Sequence, residues 1–118
     1  MSIIDLLPSE TPLKSIPPGE VVFAQGDAGD VMYVVIEGEV EVLLEGKLVE
    51  TVRAGGVVGE MALIDSQPRS ATAISRTRCL VGPVDEQRFT ELITREPEFA
   101  LTVMRVMAKR LRRMDVER

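Results

Sequence analysis

Between Glu20 and Val84 the apolar positions fall in short runs: Val21-Val22-Phe23, Met32 to Ile36, Val40-Glu41-Val42-Leu43-Leu44, Leu48 to Val52, Ala71 to Ser75 and Cys79 to Val84. Runs of this length, alternating or continuous, read as β-strands when turn residues bound them. The bounds here are Pro18-Gly19, Gly26-Asp27, Gly29-Asp30, Gly38, Glu45-Gly46, Gly55-Gly56 and Pro68. Many short strands at close spacing predict a sandwich, barrel or jelly roll. At Asp85 the period changes. Asp85 fits a helix N-cap, and Phe89, Leu92 and Ile93 form one apolar stripe. Pro97 fits the first turn of a second helix, running from about Glu98 to about Val116.

In that last helix Ala100, Met104, Met107, Leu111 and Met114 are spaced 4-3-4-3, the seam of a coiled coil, while Phe99, Val103 and Val106 make a second stripe. Two stripes predict two contacts, one with the β body and one with a second copy; a single broad core-facing stripe is the alternative. Residues 1–18, with their prolines, Ser9 and Thr11, read as a lead-in segment with little regular structure. The expected fold is therefore mainly β with C-terminal α. It comprises the lead-in 1–18, an antiparallel, jelly-roll-like β-roll over 19–84, and helices over 85–118 of the same single domain.

Composition narrows the chemistry. A chain of 118 residues with 45% hydrophobic content can bury one core but not two, and is too apolar for a disordered segment. Fourteen Lys+Arg against 19 Asp+Glu give a net charge of −5, which argues against a dedicated nucleic-acid binder. With no His and one Cys, Cys79, disulfide frameworks, Cys/His metal sites and most His-based acid–base catalysis drop out, and no metal is expected. The longest clearly apolar run, Val31 to Ile36, is six residues, where a membrane-spanning helix needs about twenty. The N-terminus lacks the basic and apolar regions of a signal peptide, which with the lone cysteine points to the cytoplasm.

One stretch, residues 58–73, carries candidate chemistry: Val58-Gly59-Glu60-Met61-Ala62-Leu63-Ile64-Asp65-Ser66-Gln67-Pro68-Arg69-Ser70-Ala71-Thr72-Ala73. Gly59 lets the backbone approach a ligand closely. Glu60 to Ile64 can form a single helical turn, whose first N–H groups attract an anion. Arg69, opening the next strand, can fork onto a phosphate, and Ser70 adds a hydroxyl. Glu60 would repel that phosphate, so it should serve another part of the ligand, and a ribose hydroxyl is the natural candidate. Phosphate and ribose held within one short loop suggest a compact nucleotide. The plainer alternative is a Glu60–Arg69 salt bridge closing a surface loop.

This segment resembles the phosphate-binding cassette of the cyclic-nucleotide-binding domain family, which includes the catabolite activator protein, the regulatory subunits of cyclic-AMP-dependent kinase and the cyclic-nucleotide-gated channels. Gly59-Glu60-Met61-Ala62-Leu63 and Arg69-Ser70-Ala71 fit the family's cassette, and Gly19, Gly26, Gly38 and Gly55 fit its upstream glycines. The resemblance spans roughly residues 12–116. It implies that Glu60 accepts the ribose 2′-hydroxyl and that Arg69 pairs with the cyclic phosphate. Ser70 and the N–H groups of Ala62 and Ala71 would face the phosphate, and Gly59 would admit the ribose. Met61 belongs to the same segment. The resemblance also places Val42, Val49 and Val52 as base-wall candidates and Arg110 near the purine, with Met114 and Asp115 where some relatives bind the base. The implied ligand is cyclic AMP first and cyclic GMP second, since Ser70 follows the cassette arginine. The implied role is regulatory, with ligand occupancy moving the C-terminal helix. A ligand-free module for dimerisation or protein docking is the alternative, and no enzyme activity is expected.

Other features have bland readings. The basic residues Arg105, Lys109, Arg110, Arg112, Arg113 and Arg118 complement the negative end of the helix dipole. DNA-reading relatives carry a helix-turn-helix beyond this helix, and the chain ends at Arg118, so it is not expected to bind DNA itself. The expected partners are a second copy through the C-terminal helix or an effector protein. Cys79 reads as a small buried hydrophobe.

Overall fold

The structure, a computed structural model, describes residues 2–116, with side chains through Arg113. Eight strands form two four-stranded antiparallel sheets. The strands are β1 (Lys14–Ile16), β2 (Val21–Phe23), β3 (Val31–Glu37), β4 (Val40–Leu44), β5 (Lys47–Val52), β6 (Val57–Val58), β7 (Thr72–Ser75) and β8 (Cys79–Asp85). One sheet runs β1-β8-β3-β6 and the other β2-β7-β4-β5. Helices α1 (Glu60–Asp65), α2 (Glu86–Arg95) and α3 (Pro97–Val116) complete the fold. The mainly β fold with C-terminal helices expected from the periodicity is the one observed.

Two apolar clusters hold the layers together. Between the sheets lie Ile16, Val35, Val40, Val52, Val58, Ala73, Cys79 and Val81. On the opposite face of the first sheet, Met32, Val34, Val57 and Val84 pack with Leu63, Leu92, Phe99 and Val103 from the helices. Strand β3 feeds both clusters because its alternate side chains leave on opposite faces. Cys79 is 1% exposed, and its thiol lies 3.3 Å from the carbonyl oxygens of Glu39 and Thr77, either of which can accept its one hydrogen.

The lead-in segment is more ordered than its prolines predict. Ile3–Leu6 forms a 3₁₀ turn capped by Ser2 and Asp5, which buries Ile3 and Leu6 against the helices. Lys14–Ile16 pairs with β8. Three residues with one apolar member have no period to read, so this strand is fixed by its partner.

The C-terminal helices follow their sequence signals. The Asp85 carboxylate accepts from the Arg88 N–H at 2.8 Å and caps α2. Phe89 of α2 meets Phe99 of α3 edge to face, with centroids 5.8 Å apart. Phe99 and Val103 are fully buried and anchor α3 on the first sheet; burial of such side chains contributes roughly 1.5–3 kcal/mol each. The expected heptad seam divides. Met104 and Leu111 are 55% and 47% exposed, but Met107 turns toward the core. Met114 and Asp115 lie outside the residues whose side chains are described.

Candidate functional site

The cassette starts where β6 ends. Gly59 adopts a left-handed backbone, φ +81°, and turns the chain from β6 into α1. A side chain there would collide with the Arg69 guanidinium, so only glycine accommodates both the turn and the cation. Helix α1 runs slightly more than the single turn expected and ends at Ser66, whose N–H reaches the Ala62 carbonyl at 3.0 Å. Arg69 does not open a strand. It sits in the loop before β7, tied by its N–H to the Asp27 carbonyl at 2.8 Å and by its own carbonyl to the Gly26 N–H at 2.9 Å.

The Arg69 side chain is 5% exposed. Its Nη1 donates to the Gly59 carbonyl at 3.0 Å and its Nη2 to the Val31 carbonyl at 2.5 Å. Its Nε is buried with no acceptor. Among the described residues no carboxylate lies within 4.0 Å of it, so the Glu60–Arg69 bridge of the plainer reading does not form. Burial lowers the Arg69 pKa from its ordinary value, against the opposing influence of Tyr33, Asp30 and Asp27. Arginine starts so high that the cation persists at neutral pH. Gly29 packs directly on the Arg69 stem and on Ala62, where a Cβ would not fit.

Glu60 is 2% exposed and turned to the other side of the site. One of its oxygens accepts from the Met61 N–H at 3.2 Å, and the other is paired with Arg110 of α3. Arg110 also forks onto Glu50 of β5, at 2.9 and 3.1 Å, and donates to the Val57 carbonyl at 2.7 Å. Arg113, one turn on, reaches Glu50 at 3.3 Å. Thus α3 is latched to the β-roll through two carboxylates. Burial alone would raise the Glu50 carboxyl, but Arg110 and Arg113 outweigh it and hold it below the ordinary value. A depressed carboxyl stabilises the folded state above the unfolded value, near 4.5, and that stabilisation is lost as pH falls through the lower folded value. In thermal melts from about pH 5 to about pH 3, the wild-type chain should therefore lose more stability than Glu50→Gln. Parallel slopes would contradict the latch.

Between these groups lies a cavity of about 150 Å³ lined by Gly59, Glu60, Met61, Ala62, Arg69, Ser70 and Ala71 from the cassette, and by Val42, Val49 and Arg110. The structure brings together all the cassette candidates and two of the three valines. Val52 is the exception. It is 3% exposed, opposite Val40 in the β4–β5 ladder, and belongs to the core between the sheets. Val49 and Val52 are an odd number of residues apart, and strand alternation sends them to opposite faces. Sequence reading did not single out Phe23, Leu44, Glu50, Val58 and Arg113 as lining residues. The signals available were slight: Glu50 is one acid in a strand of mixed polarity and Arg113 one cation among several.

The charged groups around the cavity are three arginines (69, 110, 113) against two glutamates (50, 60), a surplus of one positive charge. Arg110 and Arg113 are paired with the glutamates, so the surplus resides on Arg69. The arrangement suits a monoanion with a hydroxyl-bearing part directed to Glu60. Among the described residues no group of three His, Cys, Asp or Glu side chains is placed to hold a metal ion, and no helix is long and apolar enough to cross a membrane.

Residues 13–96 match the family described as the cyclic nucleotide-binding domain, and the chain belongs to that family. It is 30% identical, over 97% of its length, to a CRP-like cAMP-activated global transcriptional regulator of Mycobacterium tuberculosis, of which it covers 53%. It is 34% identical over 80 residues, 68% of its length, to a cAMP-dependent protein kinase regulatory subunit of Eremothecium gossypii, of which it covers 18%. The chain thus spans about half or less of the length of these relatives. Among solved structures, the catabolite activator protein of Thermus thermophilus superposes with a TM-score of 0.84 at 30% identity, covering 98% of this chain and 56% of that one.

Proposed function

We propose that this domain binds a cyclic nucleotide, cyclic AMP in preference to cyclic GMP, and converts occupancy into movement of α3. The observation that carries the reading is the buried Arg69 cation, without a carboxylate partner and at the edge of a cavity. A buried charge left unpaired is costly, and a ligand phosphate is the missing partner. Ser70 and the N–H groups of Ala62 and Ala71 would share the phosphate, and Val42 and Val49 would flank the base. The order of ligands follows Ser70 and agrees with the cyclic-AMP-linked names of both relatives.

Glu60 would accept the ribose 2′-hydroxyl. Its carboxylate is already held by Arg110, so ligand and α3 compete for, or share, the same acid. The cavity is small beside the 300 Å³ or more typical of small-molecule sites, and in this reading the nucleotide loosens or reseats the helix that bears Arg110. Ligand then favours the reseated state by its differential affinity for it. The exposed face of α3 with Met104 and Leu111 would carry that movement to a second copy or to an effector protein.

Glu60→Ala tests the ribose assignment. A charged hydrogen bond contributes roughly 1.5–3 kcal/mol, so cyclic AMP should bind about 10- to 100-fold more weakly. The 2′-deoxy analogue, which lacks the hydroxyl, should lose much less. Equal losses for the two nucleotides in calorimetry would remove Glu60 from the ribose site.

A further inference from the structure

We infer that Phe23 is the positioning residue of this site. Its ring holds the Arg69 guanidinium where a carboxylate would ordinarily stand, and leaves the cation's charge free for a ligand. This rests on the proposed phosphate role of Arg69. The guanidinium carbon lies 4.1 Å from the centre of the Phe23 ring. The same ring meets Tyr33, with centroids 6.3 Å apart and planes 23° from parallel. Phe23 also lines the cavity and approaches Gly59, where an added Cβ would be 3.1 Å from its ring edge.

The chemistry explains why an aromatic face fits here. An arginine this deeply buried is commonly paired with Asp or Glu. A carboxylate would neutralise the charge and occupy two of the five N–H donors in a bidentate fork. The face of a phenyl ring attracts the cation through its quadrupole, takes none of the donors and adds no negative charge. The carbonyls of Gly59 and Val31 then use one N–H each on Nη1 and Nη2, which leaves Nε and the second N–H of each terminal nitrogen. Four groups converge on Arg69: the ring against its guanidinium, two carbonyls at its ends, and Gly29 against its stem.

Two readouts on the full chain test this, one with ligand and one without. In Phe23→Leu, cyclic AMP should bind about three- to thirtyfold more weakly, the range of a partly desolvated cation–π contact. Phe23→Tyr, which keeps a ring, should stay within about twofold of wild type. The ratio of affinities for cyclic AMP and its 2′-deoxy analogue should be unchanged in Phe23→Leu, because the ribose acid is untouched. Without ligand, the Arg69 Nε–H resonance in nitrogen-15 spectra should be displaced by the ring and slow to exchange in wild type and Phe23→Tyr. In Phe23→Leu it should move to the ordinary arginine position. Equal affinities for wild type and Phe23→Leu, or an Arg69 resonance that does not respond to loss of the ring, would overturn the assignment. Should the displaced resonance be seen while no cyclic nucleotide binds, the phosphate reading fails and the positioning contact stands.

Discussion

Arg69→Ala should weaken cyclic AMP binding by at least about thirtyfold while leaving the domain folded. Truncating one partner of a buried, hydrogen-bonded charge pair costs on the order of 2–5 kcal/mol, and about 1.4 kcal/mol is a factor of ten. In the free protein the balance is different. The substitution removes donors to the Gly59 and Val31 carbonyls, but it also removes a buried cation that has no carboxylate partner. Those effects oppose each other, so the ligand-free melting temperature should move little. The rise in melting temperature on adding cyclic AMP should disappear. Calorimetry and melts on the same samples separate the two effects. Unchanged affinity would remove Arg69 from the phosphate site. A variant that fails to fold would make the residue a structural one.

Gly59→Ala is the second large effect. The backbone at Gly59 is left-handed, φ +81°, and holding a side-chain-bearing residue there costs about 1–3 kcal/mol. The new Cβ would also meet the Arg69 guanidinium, the Phe23 ring edge and the Val31 carbonyl. The guanidinium has to move away from the three groups that place it, so cyclic AMP affinity should fall tenfold or more, beyond any loss of stability. Gly19→Ala separates strain from displacement. Gly19 has a similar φ, +78°, but open space where the Cβ would go. It should destabilise the fold by a comparable amount and leave affinity within about twofold. Similar affinity losses in both variants would mean that Arg69 is not displaced and that backbone strain alone weakens the site.

Much of this site was legible in the sequence because it is local. Residues 58–73 carry the turn, the short helix, the acid and the cation in one stretch, and the fold places all seven cassette candidates around one cavity. The longer strands were legible for the same reason: Val40–Leu44 has the period and its bounding turns. Strand β6 was not, because two valines between Gly55-Gly56 and Gly59 are too short to show a period. Lys14–Ile16 is a strand only by pairing with β8, more than 60 residues away.

The connections that place the charges are equally non-local. Phe23 reaches Arg69 across 46 residues and Arg110 reaches Glu50 across 60, and neither pair has a sequence signature. Val52 shows the converse error. The family resemblance groups it with Val42 and Val49, and the pleat of β5 turns it into the core. The two stripes of the last helix overlap for a related reason. Met107 follows the heptad but falls on the stripe that Phe99 and Val103 pull against the sheet. The seam is thereby narrowed to the outer residues, Met104 and Leu111 among them.

The ion pairs give the proposed coupling a physical form. Arg110 bridges a β-strand acid, Glu50, and the cassette acid, Glu60, so the position of α3 and the proposed ribose site share one side chain. A ligand that takes the Glu60 carboxylate changes what Arg110 can hold, and the helix that carries Arg110 feels the change.

Isothermal titration of the unmodified chain with cyclic AMP tests the central claim most directly. The account predicts saturable binding with one nucleotide per domain, tighter than for cyclic GMP and much weaker for 5′-AMP, whose open phosphate carries a second charge. An absence of binding heat with either cyclic nucleotide, together with an unshifted melting temperature, would contradict it and leave the Arg69 cation a structural feature of a ligand-free module.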